Sequence, residues 1–133
     1  MGLRLSIITP ASPLVETEVD SVVAPGREGE FGVLPGHELF LAPLRPGVLR
    51  YTAGGQEQSV AVSGGFAEVT QEGVTVLAPA AATPDQVDRG EAQREFASAE
   101  NAQAELGHTA PPDEIAAVQE RLEIARARLA LVS

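Results

Sequence analysis

Over the first 82 positions apolar and β-branched residues come in short runs, each bounded by glycine, proline or other turn formers. The runs are Leu3 to Thr9, Glu16 to Ala24, Phe40 to Leu44, Val48 to Thr52, Gln58 to Val62, Phe66 to Thr70 and Val74 to Ala78. Their length and composition predict strands. Period-two alternation is clearest in Glu16-Thr17-Glu18-Val19-Asp20-Ser21-Val22, whose outward set is polar, and in Phe66-Ala67-Glu68-Val69. Hairpin turns are predicted at Gly54-Gly55, Gly64-Gly65 and Glu72-Gly73. Short strands, close turns and no helix between them predict an antiparallel sandwich or flattened barrel.

After residue 83 the period changes. Thr83-Pro84-Asp85-Gln86 combines a capping hydroxyl, a proline suited to the first helical position, an acid for the helix dipole and a glutamine that completes a capping box. A helix is expected from there, with a weak apolar face of Ala92, Phe96, Ala99 and Leu106, and Gly107 as its stop. Past the connector Thr109-Ala110-Pro111-Pro112, Asp113-Glu114 open a second helix with a better stripe: Ile115, Val118, Leu122, Ala125, Leu129 and Val132. A connector of about five residues folds two helices back as an antiparallel hairpin. The expected fold is therefore α+β, with residues 1–84 forming the sandwich and 85–133 the hairpin. The first helix offers only Val87, Phe96 and Leu106 as large apolar groups. At roughly 1.5 to 3 kcal/mol per buried large side chain, such contacts barely exceed the entropy of ordering the segment. The hairpin is expected to be marginal alone and able to detach.

Composition narrows the function. A chain of 133 residues, 44% apolar and 21% charged, buries one modest core. It has no cysteine, which removes disulfides, thiolate metal sites and cysteine nucleophiles. All nine basic residues are arginine, and nineteen carboxylates bring the net charge to -10, so phosphate backbones are repelled and no nucleic-acid partner is expected. His37 and His108 are the only histidines, too few for a cupin-like metal site on strands. No P-loop, nucleophile elbow, zinc-protease helix or calcium loop occurs. The expectation is a non-enzyme with no catalytic residue, metal or cofactor. The N-terminus carries only a short apolar stretch before Pro10, and no window approaches eighteen apolar residues, so neither a signal peptide nor direct membrane insertion is expected.

The most specific segment is residues 29–50, GEFGVLPGHELFLAPLRPGVLR. From its glycines and prolines alone it reads as a loop at one end of the sandwich. Its FGVLPGH and PGVLR stretches resemble the signature of the epsilon subunit of rotary proton-translocating ATP synthases, called delta in mitochondria. Ala24-Pro25-Gly26 before Gly29-Glu30-Phe31, the Val62 to Val69 stretch and the C-terminal helix pair fit the same family.

The resemblance implies a non-catalytic rotor subunit on the cytoplasmic face of the bacterial inner membrane, peripheral to it, with three partners. The sandwich packs on the gamma subunit. The loop with the family's glutamate, here Glu30, sits against the c-ring, which makes Glu30, Phe31, Gly32, Val33, Leu34, Pro35, Gly36 and His37 the expected ring contact. The plain alternatives are a solvated carboxylate for Glu30 and a turn residue for His37. The hairpin extends into the alpha/beta catalytic hexamer and restrains ATP hydrolysis. Arg121, Arg126 and Arg128, late on a helix that opens with Asp113, Glu114 and Glu120, are the expected contact with an acidic loop there. Equally open is pairing within the hairpin, with Glu120 and Glu123 nearby. Some bacterial relatives bind ATP through an apolar-Asp-x-x-Arg-Ala pattern; here Val87-Asp88-Arg89-Gly90-Glu91-Ala92 puts Glu91 in place of the arginine. Nucleotide binding by Asp88, with Arg89 or Arg94 substituting, is therefore doubtful. The competing functional class is a soluble binding module whose hairpin dimerises as a coiled coil, whereas a rotor subunit is a monomer when isolated.

Overall fold

The computed structural model describes residues 2–36 and 39–133. Its strands are β1 (Leu3–Ile8), β2 (Pro13–Val19), β3 (Ser21–Gly26), β4 (Gly29–Val33), β5 (Phe40–Ala53), β6 (Gln56–Val69), β7 (Gly73–Leu77) and β8 (Ala81–Ala82). They join in the order β2-β1-β7-β6-β5-β3-β4, with β8 paired to β6. The sheet closes as a sandwich over one core, in which Leu3, Leu5, Ile7, Val22, Leu49, Val60 and Val76 are fully buried. Two helices follow, α1 (Arg89–Leu106) and α2 (Pro112–Val132).

Several local expectations change. The run from Glu16 to Ala24 is two strands, because Asp20 turns the chain and its N–H bonds the Thr52 carbonyl at 2.6 Å. Residues 29–33, read as loop, pair with β3 as an edge strand. The two runs at 40–52 are one strand, and so are the two at 58–70. Pro46 is tolerated inside β5 because β3 and β5 fall out of register between Val23 and Gly26, and Pro46 lies opposite that interruption. The Gly54-Gly55 hairpin forms, with φ of 58° and 79°. Gly64-Gly65 is no hairpin; both residues sit inside β6, where the strand changes partner from β8 to β7. Not every pairing is antiparallel either: β1 lies between β2 and β7 and runs parallel to β7. The intervening sandwich supplies the long crossover that a parallel pair needs.

The predicted helix start is a single 3-10 turn, Pro84–Gln86, in which the Thr83 N–H donates to Gln86 Oε1 at 3.0 Å. Val87 then reverts to extended backbone and drops into a cluster with Ala82, Ala92, Leu129, Leu131 and Val132. Asp88 caps α1 instead, its Oδ2 accepting from the Glu91 N–H at 2.8 Å. As the weak stripe predicts, α1 buries only Ala92 and Ala99. On α2 the stripe is buried at Leu122 and Ala125 but fades toward the start, where Ile115 is exposed.

Candidate functional site

The predicted ring-contact stretch splits by strand geometry. Glu30 and Gly32 are exposed on β4, and Leu34, Pro35 and Gly36 are exposed beyond it. Phe31 is half-buried and meets Phe40 edge to face at 5.4 Å between centroids. Val33, included in the predicted contact, points into the core at 1% exposure and supports the surface from beneath. His37 lies outside the described residues. Glu30 is not simply solvated. Its carboxylate pairs with Arg50 of β5, Nη1 to Oε2 at 3.3 Å and Nη2 to Oε1 at 3.5 Å.

Leu34 is already among the expected ring contacts; what sequence reasoning missed is that Phe66 and Leu77, from other strands, are exposed as well. Leu34, Leu39, Leu41, Phe66 and Leu77 are large apolar residues left between 51% and 71% exposed. Pairing aligns part of this set: Pro43 faces Phe66, Phe66 faces Leu77, and Leu77 faces Ile8. The result is an apolar stripe running across β5, β6, β7 and β1.

The family model for the beta-sandwich domain of the ATP synthase delta/epsilon chain matches residues 2–84. The chain belongs to the ATP synthase epsilon family. The epsilon chain of Syntrophobacter fumaroxidans is 44% identical over 129 residues, covering 97% of this chain and 87% of that one. That of Nitratidesulfovibrio vulgaris is 42% identical over 130 residues, covering 98% and 88%. In solved structures the fold matches a chain of the Euglena gracilis mitochondrial ATP synthase, OSCP/F1/c-ring, with a TM-score of 0.79, 24% identity and 97% and 80% coverage. A chain of the Tetrahymena thermophila central stalk/c-ring structure matches with a TM-score of 0.66, 11% identity and 100% and 98% coverage. An epsilon-family chain is one subunit of ATP synthase. No helix among the described residues is long and apolar enough to cross a membrane.

In this epsilon-family chain the three α2 arginines all turn toward α1. Arg121 Nη2 donates to Ser98 Oγ at 2.7 Å, Arg128 Nε lies 3.5 Å from Glu95 Oε2, and the Arg126 guanidinium stands 5.9 Å above the Phe96 ring. Glu123, a predicted neighbour for them, accepts instead from the Gln119 amide at 3.3 Å. Thus Glu95, Phe96 and Ser98 form one receiving surface on α1.

The other face of α2 leans on the middle of β5 and β6. An open cleft of about 600 Å³ lies between them, lined by Arg27, Arg45, Ser63, Glu120 and Glu123 among others. At the doubtful nucleotide site the Asp88 carboxylate is committed to the α1 cap, and Arg89 and Arg94 are exposed.

Proposed function

We propose that this chain is the non-catalytic rotor subunit of a bacterial proton-translocating ATP synthase, coupling the gamma shaft to the c-ring and restraining ATP hydrolysis through its hairpin. The observation that carries the coupling role is the uncovered apolar stripe on a stiff sheet. Large exposed apolar side chains gathered on one face of so small a chain mark a partner surface, and gamma is the partner the family implies. The c-ring then meets the Glu30 to Gly36 end. Residues 1–84 act as the coupling unit and residues 85–133 as the regulatory one. In this reading the chain lies on the cytoplasmic face of the bacterial inner membrane, peripheral to it and held through its partners. In isolation it is a monomer.

Replacing Phe66 and Leu77 together by aspartate leaves the buried core untouched and puts two charges in the middle of the stripe. Co-purification of the tagged chain with gamma and the ring from detergent-solubilised membranes is then lost, while thermal unfolding of the isolated chain stays close to that of the parent. Retention of both partners would show that gamma binds elsewhere.

The restraint is governed by which surface holds Arg121, Arg126 and Arg128. In the compact hairpin α1 occupies them, so an acidic loop of the catalytic hexamer competes with Glu95, Phe96 and Ser98. Two states of similar free energy suit a switch. ATP is a poor candidate for locking the compact state. Asp88 is committed to its cap, and Glu91 presents an anion where a phosphate-facing cation is needed. Calorimetry of the isolated chain with ATP shows no binding tighter than about 1 mM, a free energy near 4 kcal/mol. Micromolar binding would reverse this reading.

A further inference from the structure

Two signature segments, Gly29-Glu30-Phe31-Gly32 and Pro46-Gly47-Val48-Leu49-Arg50, lie on different strands, and the sheet joins them through one contact. Their charged residues, 20 positions apart, form the Arg50–Glu30 pair described above. The register explains how Arg50 reaches across β3. Val23 pairs with Gly32 on one side and with Arg50 on the other. Glu30, two residues before Gly32 on β4, shares its face of the sheet. Gly32 leaves that path bare; a Cβ there would meet only the Val22 carbonyl oxygen, at 3.9 Å. Gly32 thus puts no side chain beside Glu30 on that face, and the guanidinium reaches across β3 to the carboxylate with both terminal nitrogens.

We propose that Arg50 is the positioning residue for Glu30, and that the two together form the polar part of the surface that meets the c-ring. This rests on the reading of Glu30 as a ring contact. The pair remains open to a partner, with side-chain exposures of 37% for Arg50 and 49% for Glu30. The carboxylate keeps unused lone pairs and the guanidinium keeps unused N–H groups. Acceptor and donor stand side by side. The partner that fits is a polar loop offering a donor to Glu30 and a carbonyl or amide oxygen to Arg50. A carboxylate on a long side chain that is already held loses less freedom on docking, so removal of Arg50 weakens binding even though Glu30 remains.

The test adds full-length variants back to ATP synthase depleted of this subunit and measures affinity and ATP-driven proton pumping. Glu30→Gln and Arg50→Gln each weaken binding about fivefold or more, and the double variant is no weaker than the poorer single, as expected for groups acting as one unit. Arg50→Lys recovers part of the loss, because one-point contact restores charge but not direction. Melting temperatures of the isolated variants shift by less than about 2 °C, since an exposed pair adds little to stability. Normal affinity for Arg50→Gln beside a weakened Glu30→Gln, or a double loss equal to the product of the singles, overturns the positioning role. Normal affinity for Glu30→Gln overturns the ring-contact reading beneath it.

Discussion

ATP hydrolysis by the assembled complex rises at least about fivefold when residues 85–133 are deleted, the lower end of what a coupling between two sites typically contributes. Assembly and ATP synthesis survive the deletion. The sandwich keeps its structure because every buried residue of its main core, from Leu3 to Ala78, lies before the cut. What the deletion uncovers lies outside the main core: Ala82 loses the cluster it forms with Val87, Ala92, Leu129, Leu131 and Val132, and the α2 face of β5 and β6 becomes solvated. The hairpin contributes correspondingly little to the sandwich. In its own clusters only Val87 and Leu122 are buried large residues, beside alanines, with Phe96, Leu129, Leu131 and Val132 partly buried, and a fully buried valine or leucine is worth only about 1.5 to 3 kcal/mol. An element so weakly held has free energy to spare for a second docking position. Unchanged hydrolysis, measured on complexes with full coupling, would mean that this hairpin is not the restraint.

Legibility in the sequence followed how far each signal is local. The Gly54-Gly55 turn, the two helices and the poor apolar face of α1 were readable because each depends on residues within one or two turns, whereas the better stripe expected on α2 is buried only in its later half. Edge strand β4 was not, since three of the five residues from Gly29 to Val33 are Gly or Glu and its extended form comes from pairing with β3. The apolar stripe escaped for a more instructive reason. At Phe66-Ala67 and Leu77-Ala78 both neighbours are apolar, and it is the alanine that turns inward while the larger residue faces solvent. Alternation cannot choose a face when both are hydrophobic, and side-chain size misleads. Glu30 stands out through its motif as the proposed ring contact. Arg50 as its partner does not, because only the register of three strands brings them together. The arginines of α2 divided similarly: their clustering was visible, but their receivers on α1 depend on how the hairpin closes.

Gly65→Ala lowers the stability of the isolated chain by about 3 kcal/mol, read as a fall in the urea midpoint at unchanged slope. Two independent terms make up this figure. Gly65 has φ of 106°, in the region where an L side chain costs about 1 to 2 kcal/mol. A Cβ there would also run into the Leu77 carbonyl oxygen, and forcing a methyl into a filled site costs typically about 1 to 3 kcal/mol. The carbonyl cannot yield easily, because Leu77 is paired with both Phe66 on β6 and Ile8 on β1. Gly55→Ala is the control: its φ is 79°, but nothing lies within 4 Å of the added methyl, so only the backbone term of about 1 to 2 kcal/mol applies. Equal losses for the two variants would show that the corner has room to relax. The corner also has a functional consequence. At Gly64-Gly65, β6 leaves β8, beneath α2, and joins β7, so Phe66 is the first side chain delivered to the outer stripe. Gly65→Ala therefore loses gamma binding together with stability, whereas the aspartate replacements at Phe66 and Leu77 lose binding alone. That contrast separates the residue that builds the docking face from those that form it.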